Sequence, residues 1–357
     1  MKICHVTSAH KSDDVRIFVK ECRSLAEAGY ETYLVAQGES KIIDDVTIVG
    51  VGEKPTNRLK RMLFFSGTVV ETALNLNCDL YHLHDPELLL YARRIKKKGK
   101  IVVFDSHEDV PAQILSKHWI PKFLRKLISS IYRRIEDRSL NCIDAVVAAT
   151  NFIGRQFDGR ARRVAVVNNY PRLDDIVYQD KPFEKRPKVA CYVGGISAMR
   201  GEEVMKEAVS SLDLKLVIAG DHEVRIENNV HYVGKLSRSE VNSLYSTSRL
   251  GLVLLSSTPN YINSMPIKMF EYMAAGLPFV ASDFELWNDI IQKYPCGICV
   301  NPGNIEEIRN ACKLLMNNPE LAQSYGRMGR EAVVNEFNWN IEVVHLLQLY
   351  ETLNADM

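Results

Sequence analysis

Lys268 and Glu271 stand three positions apart in the run Pro266–Ser282, PIKMFEYMAAGLPFVAS, which reads as a helix opened by proline, stopped at Gly276 and followed by a short apolar strand. Pro266 suits the first helical turn, where no N–H is required, and Gly276 suits the left-handed residue past the end. Side chains three apart share a helix face. The free N–H groups of the first turn and the positive end of the helix dipole favour an anion. A lysine there can pair with phosphate, and a carboxylate one turn deeper can accept hydrogen bonds from both hydroxyls of a ribose. The pattern therefore fits a nucleoside diphosphate. It fits equally an amphipathic helix with Met269, Phe270, Met273 and Ala274 in the core and its Lys and Glu solvated.

Other loops at expected strand ends have similar chemistry. Gly194-Gly195 follows the strand VACYV, and the loop then leads through Arg200 into a helix starting near Glu202. The glycines allow close backbone approach to a ligand and the arginine offers a fork for phosphate. The spacing is not GxGxxG, which argues against a dehydrogenase, and a plain strand-to-helix turn stays open. Gly220-Asp221-His222 and Gly234-Lys235 end the next two strands. In the first half, His82-Leu83-His84-Asp85-Pro86-Glu87 and Asp105-Ser106-His107-Glu108-Asp109 also close strands. The HxHD alternation looks like a metal motif, but the sequence marks no further ligands, so no metal is expected. Cys296 and Cys299 form a lone CGIC without partners for a metal or redox site.

The elements that position these residues alternate. Strands are expected at Lys2–Thr7, Thr32–Ala36, Val46–Val51, Leu80–Leu83, Ile101–Phe104 and Ala145–Ala149. In the second half they are expected at Val189–Val193, Leu216–Ala219, Val230–Val233, Leu250–Leu254, Phe279–Ala281 and Ile298–Val300. Period-3.6 apolar stretches lie between them, the pattern of an α/β chain. One such helix presents Val15, Phe18, Val19, Cys22, Leu25 and Ala26, with Asp13 or Asp14 as cap and Gly29 as stop. Lys181–Pro187, charged and carrying two prolines, reads as the end of a linker. The expected domains are thus 1–180 and 181–340, with a terminal helix over 341–357 able to pack back on the first. Two open α/β sheets bind ligands at the carboxyl ends of their strands, in a cleft between domains.

The 357 residues carry a net charge of +1, which argues against nucleic acid as a partner. Residues 1–180 hold 28 Lys and Arg against 23 Asp and Glu, and the remainder 17 against 21. Much of the basic excess lies in Lys54–Arg61, Arg93–Lys100 and the amphipathic stretch Lys117–Arg138. The last sets Trp119, Ile120, Phe123, Leu124, Leu127, Ile128 and Ile131 against Lys122, Arg125, Lys126, Arg133 and Arg134. Such a helix can lie on an anionic membrane surface or turn its apolar face to the core. The opening MKICHVTSAH lacks a secretory pattern, no run is apolar enough to span a bilayer, and the eight cysteines suit a reducing cytosol. A cytoplasmic protein, with peripheral contact to the inner membrane face, is expected.

Taken together, DDVRIFVKE (Asp13–Glu21), HLHDPELL, FDSHED, YVGGISAMRG, IAGD and PIKMFEYMAAGLPFVAS make the chain resemble, over nearly its whole length, the family 4 glycosyltransferases of bacterial surface-polysaccharide synthesis. The resemblance implies the GT-B fold, two Rossmann-like domains facing each other across a cleft. It implies transfer of a sugar, with retention of configuration and without metal or cofactor, from a UDP- or GDP-linked donor to a polysaccharide or lipid-linked acceptor. Glu271 would then hold the ribose, and Lys268 with the backbone around Met265, Pro266 and Ile267 the diphosphate and sugar. Arg200 takes the place of the family's phosphate-binding lysine, and His107 matches the histidine that contacts the donor sugar. Gly194, Gly195, Asp221, Gly234, Lys235 and Asn263 complete the expected donor site. Two positions depart from the pattern: Asn263 replaces a glutamate eight before Glu271, and Gly195 stands where arginine is frequent. A sugar-nucleotide epimerase or hydrolase, and a non-catalytic nucleotide-sugar-binding module, are the alternatives.

Overall fold

The computed structural model describes every residue except Arg58, Leu59, His118, Trp119 and Met357, and every side chain of the rest but Leu63, Ser116 and Asn260. Trp119 of the expected apolar helix face and Arg58 of the basic Lys54–Arg61 stretch thus lie outside the described residues. The chain divides into two compact units, Met1–Asn169 with Glu342–Met357, and Tyr170–Ile341. The expected linker Lys181–Pro187 lies inside the second unit, where Phe183 and Arg186 are buried. Tyr170 and Ile176 already belong to that unit's core, so the division falls ahead of 180.

Unit 1 holds a sheet that, among the described residues, has the strands β1 (Lys2–Lys11), β2 (Glu31–Gln37), β3 (Lys41–Ile43), β4 (Val46–Gly50), β5 (Leu80–Leu83), β6 (Ile101–Ser106), β7 (Ala145–Ala148) and β8 (Val164–Val166). Their order is β3-β4-β2-β1-β5-β6-β7-β8, and only β3 runs antiparallel to its neighbour. Successive residues of a strand face opposite sides. Cys4, Val6, Tyr81, Leu83, Val102 and Phe104 therefore enter one apolar core. His5, His82, His84 and Asp105 fall on the other face, since His5 pairs with His82 and His82 with Val103 across the sheet.

The helix covering that second face begins at Asp14, whose carboxylate accepts from the N–H groups of Arg16 and Ile17. It runs as a wide π-type turn over Val15–Cys22 and continues as an α-helix over Arg23–Glu27. The C-terminal helix Trp339–Ala355 supplies Tyr350 to the same face from its unit 1 portion.

Unit 2 holds β9 (Val189–Val193), β10 (Lys215–Ala219), β11 (Arg225–Glu227), β12 (Val230–Tyr232), β13 (Leu250–Val253), β14 (Phe279–Ser282) and β15 (Gly297–Val300). Their order is β11-β12-β10-β9-β13-β14-β15, again parallel except at the β11 edge. Apolar cores cover both faces, as parallel strands require.

The helix of Lys122–Leu140 settles one open reading. Phe123, Leu127, Ile128 and Ile131, spaced to share a face, are exposed, Phe123 by 81%. Among the described residues of 117–140, only Ile120, ahead of the helix, and Glu136 and Leu140, toward its end, are buried. The four exposed residues of the expected apolar face lie outside the core, while Leu124 is half-buried.

Gly201, at φ 79°, opens the helix Glu202–Val209 so close to β13 that a Cβ would run into the carbonyl oxygen of Leu254. Exposed Gly99 has a similar φ of 75° and nothing near it. Gly201→Ala is expected to cost more than about 3 kcal/mol, strain and collision together, and Gly99→Ala about 1 kcal/mol, strain alone. Urea denaturation of the two variants measures the difference.

Candidate functional site

In both sheets the chain order reverses at the first strand, between β1 and β5 and between β9 and β13. In doubly wound sheets the crevice outside the carboxyl ends at that point binds ligands. Most of the residues singled out in the sequence stand there.

In unit 2, β9 delivers Gly194 at φ 138°, a conformation closed to most side chains. A Cβ on Gly194 would touch Lys268 Cε and Nζ, at 3.4 and 3.5 Å, so the lysine lies directly over this glycine. Its ammonium is 4.8 Å from the centre of the Tyr192 ring. Among the described residues it has no carboxylate at ion-pair distance. Burial, then the charge of Arg200, lower the Lys268 pKa to about 8. The Arg200 guanidinium donates to the Gly195 carbonyl at 3.0 Å and occupies the space a Cβ on Gly195 would need. A side chain at 195 would therefore require the Arg200 guanidinium to move aside. Tyr192 Oη also donates to the Gly195 carbonyl, at 2.8 Å.

The helix behind Lys268 spans Ile267–Ala274, with Gly276 left-handed past its end at φ 64°, as expected. Pro266 sits one residue earlier than expected, as the N-cap with ψ 120°. Ahead of it, Trp287 Nε1 donates to the Ser264 carbonyl at 2.7 Å and anchors the loop. Met265 packs against the unit 2 core, and Pro266, Ile267 and Asn263 are half-buried. Glu271 is nearly buried and already held: Arg238 donates to Oε1 at 2.7 Å and Tyr245 to Oε2 at 2.8 Å. Neither partner carried a sequence signal. Two bonds leave carboxylate lone pairs for further donors.

The neighbouring strand ends form a row. Gly194 N–H donates to Ala219 and Gly220 N–H to Gly234, whose φ is 73°. Asp221 and Lys235 follow these glycines and are exposed. The structure thus brings Gly194, Gly195, Arg200, Lys268 and Glu271 to one edge, with Asp221, Gly234 and Lys235 along the same row.

In unit 1, His107 follows β6 and is partly exposed. Its Nε2 is 3.5 Å from Asp105 Oδ2. Burial pushes its pKa down to about 4, so the ring is neutral near pH 7. Arg16 grips Asp105 through two bonds of 2.9 Å and donates to the Val167 carbonyl. Burial opposes the Asp105 charge, but Arg16 together with His107 and His84 outweighs it and holds the carboxyl well below its usual range. Asp85 of the HDPE run accepts from Thr7 Oγ1 at 2.8 Å and from the Ser8 N–H at 2.6 Å, and Glu87 accepts from Ser8 Oγ at 2.9 Å. Both carboxylates therefore lock the end of β1.

Sequence reasoning missed His10, 3.0 Å from Asp14 and with its ring 5.8 Å from that of His107. It also missed His5 and Glu21. Both are wholly buried beside His82 and His84, and the rings of His5, His82 and His84 lie 4.6–5.0 Å apart. Burial drives the His5 and His82 pKa values well down, and burial with the Asp105 charge drives that of Glu21 up. Strand alternation could have placed His5 with the HxHD pair had the register of β1 against β5 been known.

Residues 15–170 match the family model described as glycosyltransferase family 4, and residues 175–332 that of glycosyl transferases group 1. A phosphatidyl-myo-inositol mannosyltransferase of Mycobacterium leprae is 24% identical over 298 residues, 77% of this chain and 74% of that one. An uncharacterized glycosyltransferase of Methanocaldococcus jannaschii is 21% identical over 218 residues, 59% of this chain and 60% of its own length. Among solved structures, the sucrose-phosphate synthase of Thermosynechococcus elongatus superposes with a TM-score of 0.79 at 15% identity over the whole of both chains. HepE of Anabaena in complex with UDP superposes with a TM-score of 0.72 at 16% identity, over 99% of this chain and all of that one. At such identities the structures speak for the fold, which is GT-B. The two family models together span most of the sequence, and the chain belongs to the family 4, group 1 glycosyltransferases.

Proposed function

We propose that this glycosyltransferase moves a sugar, with retention of configuration, from a nucleoside diphosphate to a polysaccharide or lipid-linked acceptor of bacterial surface-polysaccharide type. The observation that carries the reading is Lys268: a half-buried lysine over a glycine, beside Arg200 and at the start of a helix, with no carboxylate at ion-pair distance among the described residues. Its cost in the empty protein is recovered when a diphosphate arrives. The same two cations and the first-turn N–H groups stabilise the charge that grows on the diphosphate as the bond from the anomeric carbon to phosphate oxygen breaks. In a front-face reaction the acceptor oxygen bonds to that carbon on the same side, and its proton passes to the departing phosphate oxygen. No protein base and no metal at the diphosphate are then needed.

Glu271, oriented by Arg238 and Tyr245, accepts from the ribose hydroxyls. Met265, Pro266 and Ile267 line the sugar side, and Asn263 can hydrogen-bond a sugar hydroxyl without adding charge near the anomeric carbon. The family likeness gives the donor sugar to His107, whose neutral ring can donate or accept there. HepE was solved with UDP, which makes UDP the first nucleotide to try, with GDP the alternative. Thermal stabilisation by UDP, GDP, CDP and ADP tests the reading, since a ligand of the native state raises stability by mass action. One nucleotide is expected to stabilise the protein, and Glu271→Ala to abolish the shift. No shift from any nucleotide would contradict the reading.

For the acceptor side, the exposed stripe Phe123, Leu127, Ile128 and Ile131, flanked by Lys122 and Lys126, supports attachment to an anionic membrane surface. No helix among the described residues is long and apolar enough to cross a membrane. Reversing Lys122 and Lys126 to Glu is expected to weaken co-sedimentation with phosphatidylglycerol vesicles by about 30-fold or more, from about 1 kcal/mol for each basic charge removed. Phe123→Ser should weaken it further. Unchanged co-sedimentation of both variants would remove the membrane from the proposal.

A further inference from the structure

We propose that His5, Glu21, His82 and His84 form a transition-metal site, with Zn2+ the best fit, buried in unit 1 and separate from the residues assigned to the donor. Their four donor atoms lie within 4.8 Å of one another, and all four side chains are wholly buried. His5 Nδ1 is 2.8 Å from His84 Nε2 and 3.6 Å from Glu21 Oε2. Glu21 Oε2 is in turn 3.8 Å from His82 Nδ1 and from His84 Nε2. Donors bound tetrahedrally to zinc at its usual bond lengths stand about 3.3 Å apart, so these separations bracket what an ion requires.

Without an ion, His5 Nδ1 and His84 Nε2 share a hydrogen bond and His82 Nδ1 has one with Tyr350, but Glu21 is left unsatisfied. Neither oxygen of Glu21 accepts a hydrogen bond among the described residues, although Arg16 Nε is 3.1 Å away, because that N–H is aimed at Asp105. His5 Nε2 and His82 Nε2 also have no partner among the described residues, but they are the ring nitrogens turned away from Glu21 and an ion held at the Nδ1 atoms would not change that. A buried carboxylate that accepts no hydrogen bond is costly in an apolar interior, and a cation beside it would remove that cost. The surroundings are those of a metal ligand set. His84 turns its other nitrogen toward Asp105, at 3.2 Å, and Arg16 fixes Asp105 from the far side. A carboxylate behind a ligating histidine sets its tautomer and raises its basicity. Three imidazoles and one carboxylate favour zinc or a neighbouring divalent metal over calcium or magnesium. Tyr350 Oη, 2.6 Å from His82 Nδ1, is the competitor for that lone pair.

A resident ion would tie β1 and β5 to the helix that carries Arg16 and Glu21, a structural task rather than a step in sugar transfer. The full-length protein, purified without chelator, is expected to contain about one zinc per chain. Stripped of metal, it should bind Co2+ with the strong visible absorption of a tetrahedral site, and regain thermal stability with Zn2+ but not Mg2+. His5→Gln and His82→Gln should lose the ion, Asp105→Asn should weaken binding by about 10–100-fold, and Tyr350→Phe should keep it. His107→Gln should also keep it. Loss in His107→Gln with retention in His5→Gln would overturn the assignment in favour of the adjacent His84, Asp105 and His107 group. Folded wild-type protein that retains far less than one ion after incubation with zinc, and gives no tetrahedral Co2+ spectrum, would overturn it altogether, whether or not any variant folds.

Discussion

The reversal of chain order at β1 and at β9 is the constraint on which the rest of each unit depends. Parallel strands linked by right-handed crossovers must place their connections on opposite faces once the order reverses, and the crevice left at that point is where backbone can meet a ligand. In unit 2 this puts Gly194, Gly195 and Arg200 after β9, with the helix of Lys268 and Glu271 beside them. In unit 1 it sets the end of β1 against the HDPE run after β5, where Asp85 and Glu87 bind the backbone and hydroxyls of Thr7 and Ser8.

The two units treat buried charge in opposite ways. In unit 1 Arg16 is committed to Asp105 by a bidentate bond, burial keeps His107 neutral at the edge, and a set of imidazoles and Glu21 lies beneath it. In unit 2 the carboxylate is paired, Glu271 with Arg238 and Tyr245, while Lys268 has no carboxylate at ion-pair distance among the described residues and a lowered pKa. A fold gains nothing from a desolvated, unpaired cation. Such a group marks the place where a partner of opposite charge is to come from outside the chain.

Much of this was legible before the structure. Apolar runs gave the inner strands to within a residue or two, because strands buried on both faces read as continuous hydrophobic segments, except that β1 continues through the mostly polar Ser8–Lys11, four residues beyond the expected end. The short edge strands β3, β8 and β11 were not seen: three residues are too few to show a period, and Ile42 and Ile226 are exposed. Gly194, Gly195, Asp221, Gly234 and Lys235 were visible because each is, or adjoins, a glycine at a strand end, and Lys268 and Glu271 because they share a face of a helix bounded by Pro266 and Gly276. Arg238 and Tyr245, which hold Glu271, come from a helix whose surface pattern says nothing of what it faces. His5 and Glu21 were invisible as neighbours of His82 and His84, since only the register of β1 against β5 and the packing of the covering helix bring them together. The exposed stripe on Lys122–Leu140 showed in the periodicity, but the side to which it turned did not.

The most direct test of the account is the affinity for the stabilising nucleoside diphosphate as a function of pH, in the wild type and in Lys268→Met. Lys268 titrates at about 8 in the free protein, and a bound diphosphate must raise that value. The account predicts full affinity below pH 8 that falls as the pH rises through it, and an affinity in Lys268→Met that is lower and flat over the same range. An affinity in the wild type that does not change across this range, or a variant that binds as well as the wild type, would contradict it.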